Sequence, residues 1–91
     1  MGKGQERAWQ ITTKPSALKE IKALPKEVQE RLVRKIDSLA ENPWPRDVKK
    51  LKGGRDVYRI AVGDYRVVYR INSKERLVIV ERVRHRREVY D

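Results

Sequence analysis

Val57-Tyr58-Arg59-Ile60-Ala61-Val62-Gly63-Asp64-Tyr65-Arg66-Val67-Val68-Tyr69-Arg70-Ile71 keeps a period of two on both sides of Gly63-Asp64. That is the period of a β-strand whose two faces meet different surroundings. A two-residue loop that opens on glycine reverses the chain tightly, because glycine enters positive φ without steric cost. The turn then sets a register, with Val62 opposite Tyr65, Ile60 opposite Val67 and Tyr58 opposite Tyr69. Together with Ile71 these residues make one apolar face. The other face collects Val57, Arg59, Ala61, Arg66, Val68 and Arg70. A slip of one residue would carry the arginines into the core, so the register is strongly specified. The expectation is a hairpin covered on one face and open on the arginine-bearing face.

Beyond the hairpin, Leu77 to Arg84 reads as a third strand, joined through Asn72-Ser73-Lys74-Glu75. The length of that loop leaves open which face Arg82 and Arg84 take. Before the hairpin, residues 46–56 form a basic, turn-rich connection containing Arg46, Lys49, Lys50 and Lys52. Further upstream, Val28, Leu32, Ile36, Leu39 and Ala40 lie on one helical stripe. That helix begins at Pro25, which suits a first turn. It ends near Glu41, because Asn42-Pro43-Trp44-Pro45 cannot continue it. Leu18, Ile21 and Leu24 give a shorter first helix over residues 14–23. Ala8 to Thr12 alternates and reads as a short strand, and residues 1–7 read as a flexible polar lead. The predicted fold is α+β in a single domain. An N-terminal strand precedes an α-helical hairpin, and a three-stranded antiparallel meander completes one sheet.

Charge bounds the function. Lys and Arg number 23 against 13 acidic residues, a net +10. Such a field attracts phosphate polymers. With no cysteine and one histidine, disulfides and thiolate or histidine-based zinc sites are excluded, and no metal or cofactor is expected. No stretch approaches a membrane span and no signal-peptide pattern follows the first residues, so a cytoplasmic protein without a membrane partner is expected.

The cations fall in three groups: Lys49, Lys50 and Lys52 before the hairpin; Arg59, Arg66 and Arg70 on its open face; and Arg82, Arg84, His85, Arg86 and Arg87 near the end, with Tyr90 behind them. Each has a plain structural reading, as a solvated loop, as charges that keep a strand from aggregating, or as surface decoration. Taken together they suit single-stranded RNA. Guanidinium forks grip phosphate, and tyrosine or histidine rings stack on unpaired bases. No helix-turn-helix element for duplex DNA is visible. Cleavage of RNA requires an activated ribose 2′-hydroxyl, cations to offset charge at phosphorus and a proton for the leaving oxygen. Arg59, Arg66, Arg84 and Arg86 are the candidates for the charge. His85 and Tyr90 are the candidates for the proton or for orienting the base.

Specific segments resemble the RelE/ParE toxin superfamily. Val48-Lys49-Lys50-Leu51-Lys52-Gly53 is similar to the family's "K-L-x-G" segment. Val57-Tyr58-Arg59-Ile60 with Gly63-Asp64-Tyr65-Arg66-Val67-Val68-Tyr69 is similar to its "YR…GDYRVIY" hairpin, and Arg84-His85-Arg86-Arg87-Glu88-Val89-Tyr90 to its "HRxxVY" terminus. The resemblance covers residues 8 to 90. It implies a ribosome-dependent messenger-RNA endonuclease that needs no metal, held in check by an acidic-tailed antitoxin. It further implies that Arg59 matches a basic residue on the first hairpin strand, that Arg66 helps stabilise the scissile phosphate, that Arg84 or Arg86 matches a C-terminal arginine, that Tyr90 matches the terminal tyrosine and that His85 matches the histidine some relatives use near the end. Ala61 departs from the pattern, because some RelE enzymes carry a second lysine there. His85, Tyr90 or Lys52 would have to replace that lysine as base.

Two other functions stay open at this level: a ParE-like inhibitor of DNA gyrase and a non-catalytic RNA-binding module. The expected partners are a cognate acidic antitoxin, the ribosome and messenger RNA. The chain is expected as a monomer alone or as a heteromer with the antitoxin.

Overall fold

The computed structural model describes residues 9–52 and 54–88 of the chain. The expected polar lead at residues 1–7 lies outside them, as does Tyr90. Seven elements follow in order: β1 (Gln10–Thr13), α1 (Pro15–Lys22), α2 (Lys26–Ser38), β2 (Lys49–Lys50), β3 (Val57–Val62), β4 (Tyr65–Asn72) and β5 (Leu77–His85). A 3₁₀ turn, Arg86–Glu88, closes the described chain. All five strands join one sheet in the order β1-β5-β4-β3-β2. β1 runs parallel to β5, and every other pairing is antiparallel.

The hairpin has the register set by its turn: Val62 faces Tyr65, Ile60 faces Val67 and Tyr58 faces Tyr69. Gly63 has φ 58°, and Asp64 is not among the residues with positive φ. Positive φ at the first turn position alone is the demand of a type II′ turn. The helices cover the apolar face. Ala17 and Ile21 of α1 and Leu32 and Ile36 of α2 are buried against Ile60, Val67, Tyr69, Ile71, Val78, Val80 and Val83 of the sheet. The Tyr69 hydroxyl, buried in this core, donates to the Pro43 carbonyl at 2.7 Å, which ties the proline-rich loop to the central strand.

Four local expectations shift. β1 begins at Gln10, because the Trp9 amide is taken by the Ala40 carbonyl at 3.2 Å. In α1 the buried stripe is Ala17 and Ile21, while Leu18 faces solvent. α2 stops at Ser38, and the chain tightens beyond it into i→i−3 bonds from Ala40 to Asp37 and from Glu41 to Ser38. The 46–56 connection contributes the two-residue β2, too short for any periodicity to reveal.

β5 carries the feature that matters most for the site. Tyr69 pairs with Val80, but Val68 pairs with Arg82, so Glu81 is an extra residue in the strand. Strict alternation from Val78 and Val80 would have sent Arg82 and Arg84 into the core. The bulge at Glu81 resets the alternation, so that Val83 is buried and Arg82 and Arg84 are not. One irregular residue costs far less than burying two guanidinium groups.

Candidate functional site

The uncovered face of the sheet can be read in cross-strand rows. One row runs Lys49, Arg59, Val68, Arg82 across β2 to β5. The next, toward the Gly63-Asp64 turn, runs Ala61, Arg66, Arg84, and the row on the other side runs Val57, Arg70, Ile79. None of these side chains is buried. Two direct cross-strand pairs are therefore like-charged, Lys49 with Arg59 and Arg66 with Arg84. Like charges set opposite each other destabilise a sheet unless an anion lies between or beside them. A depression of about 140 Å³ opens here, lined by Asp47, Lys49, Arg59, Ile60, Ala61 and Arg66.

The protein supplies part of the missing negative charge itself. Glu81, on the bulge, accepts from Arg70 Nε at 3.1 Å and pairs with Lys14 at 3.3 Å. Glu20 reaches over from α1. Its Oε1 accepts the Val83 amide at 2.7 Å, its Oε2 accepts Arg82 Nη2 at 2.9 Å, and Arg84 Nε lies 3.8 Å from the same oxygen. Glu88 accepts the His85 amide at 3.2 Å and meets Arg84 Nε at 3.5 Å. Burial pushes the Glu20 carboxyl up. The hydrogen bonds from Arg82 and the Val83 amide and the two arginine charges outweigh that and hold it below the usual carboxylate range. Glu81 is likewise raised by burial and more strongly lowered by Arg70 and Lys14.

Arg66 differs from its neighbours. Its Nη1 donates to the carbonyls of Gly63 at 3.0 Å and Tyr65 at 2.9 Å, and it forms no ion pair with any described residue. The hairpin turn thus holds the guanidinium in place while leaving its charge uncompensated. A guanidinium so placed accepts a phosphate more readily than one already paired.

The sheet brings Lys49, Arg59, Arg66, Arg82 and Arg84 to one face, with Arg70 one row away. The remaining candidates lie elsewhere. His85 stands opposite Tyr65, whose strand neighbours on that side are core residues, so its ring belongs to the helix-covered side at the tip of the sheet. The two rings meet edge to face, centroids 5.5 Å apart. His85 Nδ1 accepts the Arg87 amide at 3.2 Å, which assigns the proton of a neutral ring to Nε2. Arg86 is tied to the hairpin turn, with its amide 2.7 Å from the Asp64 carbonyl and its Nε 3.8 Å from the Asp64 carboxylate. Arg87 is exposed on the 3₁₀ turn, and Lys52 is exposed in the loop after β2. Lys50 stands opposite Tyr58, so it takes the face away from Lys49. Among the described residues no group of His, Cys, Asp or Glu is arranged to hold a metal ion. Among the described residues no helix is long and apolar enough to cross a membrane.

Sequence reasoning missed the carboxylates. Glu20 is 62 positions from Arg82, and nothing local marks it. Glu81 left a trace, because Val78, Val80 and Val83 break the period of two between Val80 and Val83.

Residues 11–90 match the family model described as ParE toxin of type II toxin-antitoxin system, parDE. The chain is similar to toxin RelE3 of Methanocaldococcus jannaschii, 35% identical over 78 residues, covering 81% of this chain and 86% of the relative. Among solved structures, the archaeal RelE–RelB complex of Pyrococcus horikoshii contains a chain that superposes with TM-score 0.80 at 31% identity, over 90% of this chain and 99% of the other. The intact RelBE toxin–antitoxin complex of Escherichia coli gives TM-score 0.75 at 30% identity, over 85% and 95%.

Proposed function

This chain belongs to the RelE/ParE toxin family of type II toxin–antitoxin systems, and from that premise we propose that it is an endoribonuclease that cuts messenger RNA on the ribosome and so stops translation. The observation that carries the reading is the pair Arg66 and Arg84, opposed on the uncovered face with Arg59 and Lys49 in the next row. A phosphodiester laid between them would relieve their repulsion. It would also receive the most help when charge builds on its oxygens.

The chemistry is an internal displacement. The ribose 2′-oxygen bonds to phosphorus and the bond from phosphorus to the 5′-oxygen breaks. The products are a 2′,3′-cyclic phosphate and a free 5′-hydroxyl. A base takes the 2′-hydroxyl proton and an acid returns one to the 5′-oxygen. Arg66, anchored by two carbonyls, and Arg84 stabilise the phosphorane-like transition state, while Arg59 and Lys49 hold the flanking phosphate. Arg70, Arg82 and Arg87 with Lys50 and Lys52 add to the field that draws RNA in, and Arg86 helps from the hairpin turn. With Ala61 where some relatives carry lysine, and with the His85 ring on the helix-covered side, proton transfer falls to Tyr90 or Lys52.

The relatives solved with RelB support an antitoxin partner for this chain as well. At net +10 it should take an acidic segment that folds as it binds.

The test is induction in cells followed by mapping of message 5′ ends. Cuts inside translated codons support the reading, and growth arrest without such ends overturns it. One observation favours a second reading, since the matching family model is that of ParE. A gyrase poison would give DNA breaks and a damage response with intact messages.

A further inference from the structure

Arg84 is the less firmly built half of the arginine pair. Arg66 is held by two carbonyls of its own hairpin, whereas Arg84 lies on a strand that loses its outer neighbour partway along. β1 pairs with β5 only from Leu77 to Val80. From Glu81 onward no described strand flanks that edge, and the Val83 and His85 amides bond to carboxylates instead of to a strand. An edge amide left to water lets a strand end fray, and the arginines would fray with it.

We propose that Glu20 is a positioning residue for RNA cleavage, fixing the end of β5 and through it the guanidinium of Arg84 opposite Arg66. The inference rests on the nuclease reading above. Ala17 and Ile21, three residues before Glu20 and one after, are buried in the core, so the backbone that carries the carboxylate is itself immobilised. One carboxylate then performs two tasks. Oε1 takes the free edge amide of Val83 at 2.7 Å, replacing the missing strand. Oε2 takes Arg82 at 2.9 Å and lies 3.8 Å from Arg84 Nε, offsetting the repulsion from Arg66. Glu88 also makes its closest approach to Arg84 at Nε. Both carboxylates thus steady the side chain from its stem, leaving the terminal nitrogens for phosphate. Glu88 is the weaker hold, because its side chain is 53% exposed against 24% for Glu20.

The experiment is a double-mutant cycle on the full chain. Single-turnover cleavage of a message on programmed ribosomes is measured for the parent, Glu20→Gln, Arg84→Ala and the double variant. Glutamine keeps an acceptor for the Val83 amide and removes the charge. Glu20→Gln is expected to slow cleavage by about 10- to 100-fold, as misplacement of a charge-stabilising group does. Affinity for the ribosome should be unchanged or tighter, because a negative charge is lost. In the Arg84→Ala background Glu20→Gln should have no further effect, since it acts through a guanidinium already removed. Parental cleavage by Glu20→Gln, or additive losses in the double variant, overturns the positioning role while leaving the nuclease reading intact. A Glu20→Gln chain that loses the amide dispersion of the parent marks the residue as a fold support and overturns the role too. A parent that cuts no message overturns the nuclease reading and this inference with it.

Discussion

Arg66 and Arg84 face each other directly across β4 and β5, on the side of the sheet that the helices leave bare. Folding brings two like charges together there, and the protein compensates only one of them, giving Arg84 two carboxylates and Arg66 none among the described residues. A surface selected for stability alone would alternate the signs. The asymmetry fits a site in which the uncompensated guanidinium meets an incoming anion.

Arg66→Ala should therefore slow cleavage severely and leave the fold nearly untouched. The side chain makes two hydrogen bonds to turn carbonyls that water can also reach, so their loss should cost at most about 1 kcal/mol. Loss of a donor aimed at developing charge slows a reaction by about 10²- to 10³-fold. Single-turnover cleavage on ribosomes, read beside a thermal melt, separates the two effects. A variant that cuts at the parental rate would place the chemistry away from this face.

The order of helices and strands was legible because the apolar stripe of α2 and the alternation of β3 and β4 are each long enough to show their period. The hairpin register was legible for a simpler reason: Gly63-Asp64 permits one tight reversal, and only one register keeps Arg59, Arg66 and Arg70 out of the core. The side taken by Arg82 and Arg84 was not legible from loop length. It is set by Glu81, a single inserted residue whose only trace is the spacing of Val80 and Val83. β2 could not be read, since two residues have no period. The placing of His85 beside Tyr65 follows from the same bulge, which fixes the parity of every residue after it. Glu20 lay beyond any local pattern, because its partners are brought to it by the packing of α1 on β5.

Gly63→Ala tests the turn on which the arginine face depends. Gly63 sits at φ 58°, where an L-residue is strained by about 1–2 kcal/mol. A new Cβ would also lie 3.0 Å from Arg31 Nη2, but that is the far end of a flexible side chain and can move aside. The backbone cost should dominate, lowering the melting temperature by about 5–10 °C in a chain of this size. An unchanged melt would mean that the hairpin tolerates another turn type and that the register is held by its faces alone.

Tyr69→Phe removes the hydrogen bond that joins the core of the sheet to the proline-rich loop. Burial holds the phenol far above its ordinary titration range, so it remains a donor to the Pro43 carbonyl under all working conditions. Its loss leaves a buried acceptor without its partner, at a cost of about 1–2 kcal/mol. Denaturant unfolding should show a lower midpoint with an unchanged slope. A parental midpoint would show that the loop is held by Trp44 packing edge-on against Trp9 instead.

Acid should weaken the fold through Glu20 and Glu81. Both carboxyls are held below their ordinary value of 4.5 in the folded chain, because Arg82, the Val83 amide and Arg84 for Glu20, and Arg70 and Lys14 for Glu81, outweigh the effect of burial. A depressed folded value means that the unfolded chain binds more protons in the interval between the two values. The stabilisation is therefore complete above the unfolded value and is lost as pH falls through the folded ones. The denaturation midpoint of the parent should therefore fall as the pH drops below the ordinary carboxylate value of 4.5. Glu20→Gln and Glu81→Gln should each begin from a slightly lower midpoint at neutral pH, by about 0.5–1 kcal/mol for partly exposed pairs. Each should then decline less steeply, because the titrating group is gone. If the two variants fall in parallel with the parent, acid sensitivity arises from other carboxylates. The arginines of β5 would then be held by geometry in which charge has little part.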